Sequence, residues 1–194
     1  MTAKNMVGTI TGYAENGGRR WRIVAWTVAV FVLLLPRVGM LFTNEINWGL
    51  GDFVFAGVLL FGSLGVYEVA ARTTSNSAYR AGVGVAIAGA LLLTWVNTAV
   101  GITDSGADLM YLGVLFVGLI GAFLGRFRPA GMARALLATA FVQAGIGVIA
   151  LSAGMVPAHN SAIEILGLTG FFVTLFAGSA WLFRQSAQSR DEQR

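Results

Sequence analysis

The chain contains no cysteine. That absence excludes disulfides, thiolate metal sites, iron–sulfur clusters and a cysteine nucleophile together. It contains one histidine, His159, so a bis-histidine haem cannot form within one chain. Its only lysine is Lys4, near the N-terminus, so no apolar segment can carry a lysine Schiff base. Charge is also scarce: Asp, Glu, Lys and Arg make up 11% of the 194 residues, against about 25% in an ordinary soluble domain. So few charges cannot cover a water-exposed surface. There is no P-loop, no nucleophile elbow, no dinucleotide fingerprint and no HExxH pair. These absences predict a non-enzymatic chain without a cofactor.

What the chain has instead is apolar length. It is 56% hydrophobic, with a mean hydropathy of +0.73. A membrane-spanning helix needs about 20 apolar residues. Six such stretches are expected, at 21–43, 49–71, 80–101, 108–126, 131–153 and 162–184. Residues 1–20 and 185–194 read as polar cytoplasmic tails around a transmembrane domain at 21–184. The first apolar run is too long for a signal-peptide core, and no small-residue cleavage site follows it. Arg19-Arg20 therefore reads as a positive stop before a spanning helix, in preference to a twin-arginine export signal.

Charge sign alternates from joint to joint. Lys4, Arg19, Arg20 and Arg22 precede the first stretch. Arg72 and Arg80 bracket the second joint, Arg126, Arg128 and Arg134 the fourth, and Arg184, Arg190 and Arg194 follow the sixth stretch. The intervening joints hold Glu45, then Asp104 and Asp108, then His159 and Glu164, without Lys or Arg. Because cytoplasmic joints collect the positive charge, both termini are expected in the cytoplasm. The net charge of +4 resides in these joints and does not point to nucleic acid.

The expected fold is all-α: six transmembrane helices as three tandem hairpins. Leu33–Gly39 aligns with Leu91–Asn97, and Asp52, Gly57, Gly62 and Gly65 align with Asp108, Gly113, Gly118 and Gly121. An acid thus stands near the start of each inward-running helix, where a carboxylate also suits the positive helix end without any function. The carrier-type signature of Pro, acid and base on odd helices is absent.

Lipid gives helices little hydrophobic reason to associate, so close backbone approach must help. The chain has 26 glycines. Gly82, Gly84 and Gly89, then Gly113, Gly118, Gly121 and Gly125, then Gly145 and Gly147 predict tight packing among the third, fourth and fifth helices. Gly121 and Gly125 have GxxxG spacing, which also serves dimerisation between chains. Trp21, Trp48 and Trp181 fall at expected interfaces. Pro36 removes a backbone donor and is expected to kink the first helix.

Polar groups inside a membrane are costly and are candidates for function. Arg37, Asp52, Asn97 and Tyr111 fall in the expected outer half, Gln143 near the middle, and Glu45 at the outer mouth. A vestibule for a small anion or carboxylate would draw on these six. The competing readings are an Arg37–Asp52 ion pair within the first hairpin, an Arg37 reaching the headgroups, and interhelical hydrogen bonds from Asn97 and Gln143. Glu68 and Arg72 read as a surface ion pair one turn apart. His159 with Glu164 is too sparse a set to predict a metal site.

Several runs are familiar: Phe42–Trp48, Asp52-Phe53, Val96–Ile102, Leu109–Tyr111, Gly113–Leu115, Arg126–Pro129 and Gly131–Leu136. Over roughly residues 40–185 the chain resembles a group of small six-helix bacterial inner-membrane proteins with no assigned activity. The resemblance implies a bacterial inner-membrane location and carries no chemistry. The expected partners are the lipid bilayer and either further copies of the chain or a larger membrane complex.

Overall fold

The apolar stretches form six α-helices in a computed structural model describing residues 3–43, 47–99, 108–155 and 161–191. Side chains are described from Trp21 onward within these ranges, apart from 99, 108, 109, 190 and 191. The helices are α1 (Ala3–Gly39), α2 (Leu50–Thr73), α3 (Ser77–Ala99), α4 (Asp108–Leu124), α5 (Pro129–Ser152) and α6 (Ala162–Asp191). No strand occurs among the described residues.

Five helices are long and apolar enough to cross a membrane, through Trp21–Gly39, Leu50–Thr73, Ser77–Thr98, Pro129–Ser152 and Ala162–Ser189. The exception is α4, with 17 residues. At 1.5 Å per residue it extends about 25 Å, short of a hydrocarbon core about 30 Å thick. Large apolar side chains lie exposed along these helices, including Phe31, Leu35, Val58, Phe116, Phe141 and Ile163. Such a surface is stable only against an apolar medium, which makes this a membrane protein.

Two helices run further than their apolar stretches. α1 begins at Ala3, inside the segment that reads as a polar tail, and α6 continues to Asp191. Helix nucleation is costly, whereas propagation adds one hydrogen bond per residue. A formed span therefore extends into polar sequence that would not start a helix unaided.

The chain divides into two compact units, Met1–Val66 and Tyr67–Arg194. In the first, α1 and the body of α2 touch through side chains. Trp26 stacks on Phe61 with ring centroids 5.8 Å apart, and Leu33 fills the space beside Gly57. Pro36 lies in the last turn of α1, and the helix continues to Gly39.

In the second unit α6 packs against both α3 and α5, and α5 also packs against α4, while α3 and α4 meet only lightly. This bears out the expected packing of the fourth helix on the fifth and corrects the place of the third: α3 lies on α6. The reason is the spacing on α6. Ile165, Phe172, Phe176, Ser179, Phe183 and Ser186 are all buried, and from Phe172 onward they recur at intervals of four and three residues. That is the seam of a knobs-into-holes contact. Phe183 stacks edge-on against Tyr79 at 5.0 Å and covers Gly82, whose added Cβ would lie 3.0 Å from the ring. Phe176 covers Gly89 in the same way at 3.2 Å. The glycines of α3 are notches for the rings of α6.

Between α4 and α5 the contact is made by small residues, and at its end backbone lies on backbone. A Cβ on Gly121 would meet Ala135 Cβ at 2.7 Å, and one on Gly125 would meet Gly131 Cα at 2.9 Å. The GxxxG pair is therefore filled from within the chain and is not free for dimerisation. The repeat-related glycines are used differently, because nothing lies within 4 Å of an added Cβ at Gly62 or Gly65.

Candidate functional site

Asp52 and Arg37 belong to the first unit. Arg37 is exposed in the last turn of α1, where a cation complements the negative helix end. Asp52 is the third residue of α2, and its Oδ2 accepts the Gly49 N–H at 2.8 Å. This is half of a capping box, with a carboxylate reaching back to the residue before the helix. Trp48 packs edge-on against Phe53 at 5.3 Å, which adds the hydrophobic staple across the same helix start. No ion pair joins Arg37 to Asp52 among the described residues; Asp52 is engaged by its own backbone. Asp52→Asn is therefore expected to cost about 1 kcal/mol through the cap. Arg37→Ala combined with Asp52→Ala is expected to be additive in thermal melts, with no recovery in the double variant.

Glu164 repeats this arrangement more fully at α6. The Ser161 N–H donates to Glu164 Oε2 at 2.8 Å, and the Glu164 N–H donates to Ser161 Oγ at 3.2 Å. The Ser-x-x-Glu spacing is a complete capping box, and it was legible in the sequence. The Glu68–Arg72 pair also forms, with Arg72 Nε donating to Glu68 Oε1 at 2.8 Å.

Asn97, Tyr111 and Gln143 belong to the second unit. Asn97 is half-buried two residues before the end of α3. Tyr111 and Gln143 are each 1% exposed. The glycine contacts set the register between α4 and α5: Gly125 lies against Gly131, Gly121 against Ala135 and Gly118 against Thr139. One further turn brings Val114 opposite Gln143, with Tyr111 a turn beyond. Tyr111 and Gln143 thus share one stretch of the α4–α5 contact. Among the described residues Gln143 Oε1 is buried without a hydrogen-bond partner. Glu45, Asp104, His159 and Asn160 lie outside the described residues, as does the side chain of Asp108. Among the described residues no group of three or more His, Asp or Glu side chains is placed to hold a metal.

Other polar groups are buried that sequence reasoning passed over. Ser179 Oγ donates to Gly82 O at 2.7 Å, joining α6 to α3 through the buried seam. Thr139 Oγ1 donates to Ala135 O at 2.9 Å within α5. Tyr79 Oη donates to Phe127 O at 2.7 Å, tying α3 to the turn between α4 and α5. Asn76 caps α3 by accepting the Tyr79 N–H at 3.0 Å, and its Nδ2 reaches Ser189 Oγ on α6 at 2.9 Å. The signal for the serines was available: Ser179 and Ser186 are seven residues apart on the stripe of Phe172, Phe176 and Phe183. No protein-family model matches the chain, and no curated protein or solved structure matches it.

Proposed function

We propose that this is a six-span protein of the bacterial inner membrane, built as three tandem hairpins with both termini in the cytoplasm. It acts without catalysis, as a self-assembling or accessory membrane subunit. The observation that carries this reading is how the polar groups are employed. Asp52 and Glu164 bind the backbone at helix starts, and Thr139 and Ser179 bind carbonyls. A solute path needs such groups turned toward a lumen. Fold maintenance, by contrast, needs them satisfied where they stand. The first unit supports assembly: among the described residues an added Cβ at Gly51, Gly62 or Gly65 of α2 meets nothing within 4 Å, so these positions admit close approach by another helix.

The second reading is a small-solute or ion transporter or channel, for which Arg37 and Asp52 are the polar candidates in the first unit and Asn97, Tyr111 and Gln143 those in the second. Gln143 Oε1 favours it, because a buried amide oxygen without a partner fits a bound water or a polar solute. Native mass spectrometry of the gently extracted protein separates the two. A symmetric oligomer, or co-purified subunits of another complex, is the expected result. A monomer carrying a small-molecule adduct that Gln143→Leu abolishes would establish the second reading instead.

A further inference from the structure

The second unit has an end at which arginine accumulates. The α4–α5 turn carries Arg126 and Arg128, and Arg134 follows in the second turn of α5. Arg80 stands in the first turn of α3 and Arg184 about two turns before the end of α6. All five are exposed. The contacts described above place three of them near one level. Across α3 and α6, Asn76 meets Ser189 and Gly89 meets Phe176, which brings Arg80 level with Arg184. Across α5 and α6, Gly147 meets Thr169, which brings Arg134 to within about 3 Å of the level of Arg184, at 1.5 Å per residue. Arg126 and Arg128 form a second tier roughly 8 Å further along the axis, at 1.5 Å per residue. None of the five has an acidic partner among the described residues; Arg134 Nε donates to Ala130 O at 3.3 Å. Asp191 and Glu192 follow in sequence, outside the described side chains.

Two further observations mark this end as an interface. Trp181, exposed, lies one turn inward from Arg184 on α6, and Phe123 and Phe127 pack edge-on at 5.3 Å beside Arg126. Aromatic side chains collect at the level where hydrocarbon gives way to headgroups. The backbone then singles out Arg126. It has φ 51°, and Phe127 follows with φ 53°, so the left-handed position that ends α4 holds an arginine where glycine is usual. The neighbouring glycine, Gly125, is consumed by the contact with Gly131. Backbone strain retained at a charged, exposed residue points to a use for its side chain.

From this geometry we infer that the two-tier arginine collar binds the phosphate headgroups of anionic phospholipids, with Arg126 and Arg128 as its outer contacts. Guanidinium groups pair with phosphate oxygens in forked geometry. Basic clusters at the cytoplasmic ends of spanning helices attract acidic lipid, each charge contributing to the attraction. The inference rests on the membrane reading of the fold and on the proposed orientation, and not on either proposed activity.

The test uses the full chain in neutral detergent, titrated separately with short-chain phosphatidylglycerol, short-chain phosphatidylcholine and inorganic phosphate. Binding is read by native mass spectrometry and by the melting temperature. Phosphatidylglycerol is expected to give adducts and raise the melting temperature, while the other two give neither. Each arginine removed is expected to weaken phosphatidylglycerol binding about fivefold. Arg126→Gly is the informative variant, because glycine relieves the left-handed strain. It is expected to bind phosphatidylglycerol more weakly while melting at the same or a higher temperature without lipid. Equal response to phosphatidylcholine, or an equal effect from inorganic phosphate, would overturn the inference. So would unchanged phosphatidylglycerol binding in both Arg126→Gly and the triple variant Arg80→Gln, Arg134→Gln, Arg184→Gln. A chain that stays soluble and monodisperse without detergent would refute the membrane reading itself.

Discussion

Gly131→Ala is expected to separate α4 from α5 and to destabilise the second unit by about 3 kcal/mol or more. The added methyl would stand 2.6 Å from both Gly125 Cα and Gly125 O. The obstructing atoms are backbone, so no rotamer change removes the clash. The helices must move apart, and the close contacts of Gly121 with Ala135 and Gly118 with Thr139 must loosen with them. Those contacts matter more in lipid than in water, because lipid supplies no hydrophobic drive and packing carries association. The measurement is thermal unfolding in detergent, beside Gly145→Ala. Gly145 lies on the same helix with nothing within 4 Å of an added Cβ. It is expected to be neutral or mildly stabilising, since alanine exceeds glycine in helix propensity by about 1 kcal/mol. Equal melting of the two variants would show that the α4–α5 contact does not hold the unit together.

Phe183→Ala should act on the other side of α6 with similar force. Its ring is fully buried, covers Gly82 and packs on Tyr79. Truncation leaves a cavity that neither a glycine nor a rigid ring can fill. The expected loss is roughly 2–3 kcal/mol, below the upper range for soluble cores because the transfer term shrinks in lipid while the dispersion loss remains. Gly82→Ala alone is expected to destabilise, since its methyl would press on the same ring at 3.0 Å. In the Phe183→Ala, Gly82→Ala double variant that clash no longer exists. The double variant is therefore expected to lose less than the two singles together, a coupling that thermal melts of the four proteins measure. Strict additivity would mean that the ring and the notch do not meet.

The polar residues separate what spacing reveals from what it conceals. Ser161 and Glu164 are three residues apart at a helix start, and their reciprocal bonds follow from local geometry. Glu68 and Arg72, four apart, pair for the same reason. Asp52 was open to two readings. Its position at a helix start favoured a cap, and its expected depth favoured Arg37; the shorter, entropically cheaper contact with Gly49 forms. Gln143 was legible as polar within an apolar run, yet its 1% exposure and unpartnered oxygen depend on which way α5 is turned.

The sequence by itself determined the number of helices, the apolar stretches within them and the caps that begin α2 and α6, but not how far α1 and α6 run into polar sequence. These depend on residues within a few positions of one another, and on hydropathy summed over the thickness of a bilayer. Only the tertiary structure decided that α3 lies on α6, that the GxxxG of α4 is filled by α5, and that Arg80, Arg134 and Arg184 come nearly level. Every glycine-bearing helix offered a plausible notch, and every aromatic stripe a plausible knob. Which notch receives which ring depends on the rotation and axial offset of whole helices, quantities fixed jointly by all the contacts and by no single stretch of chain.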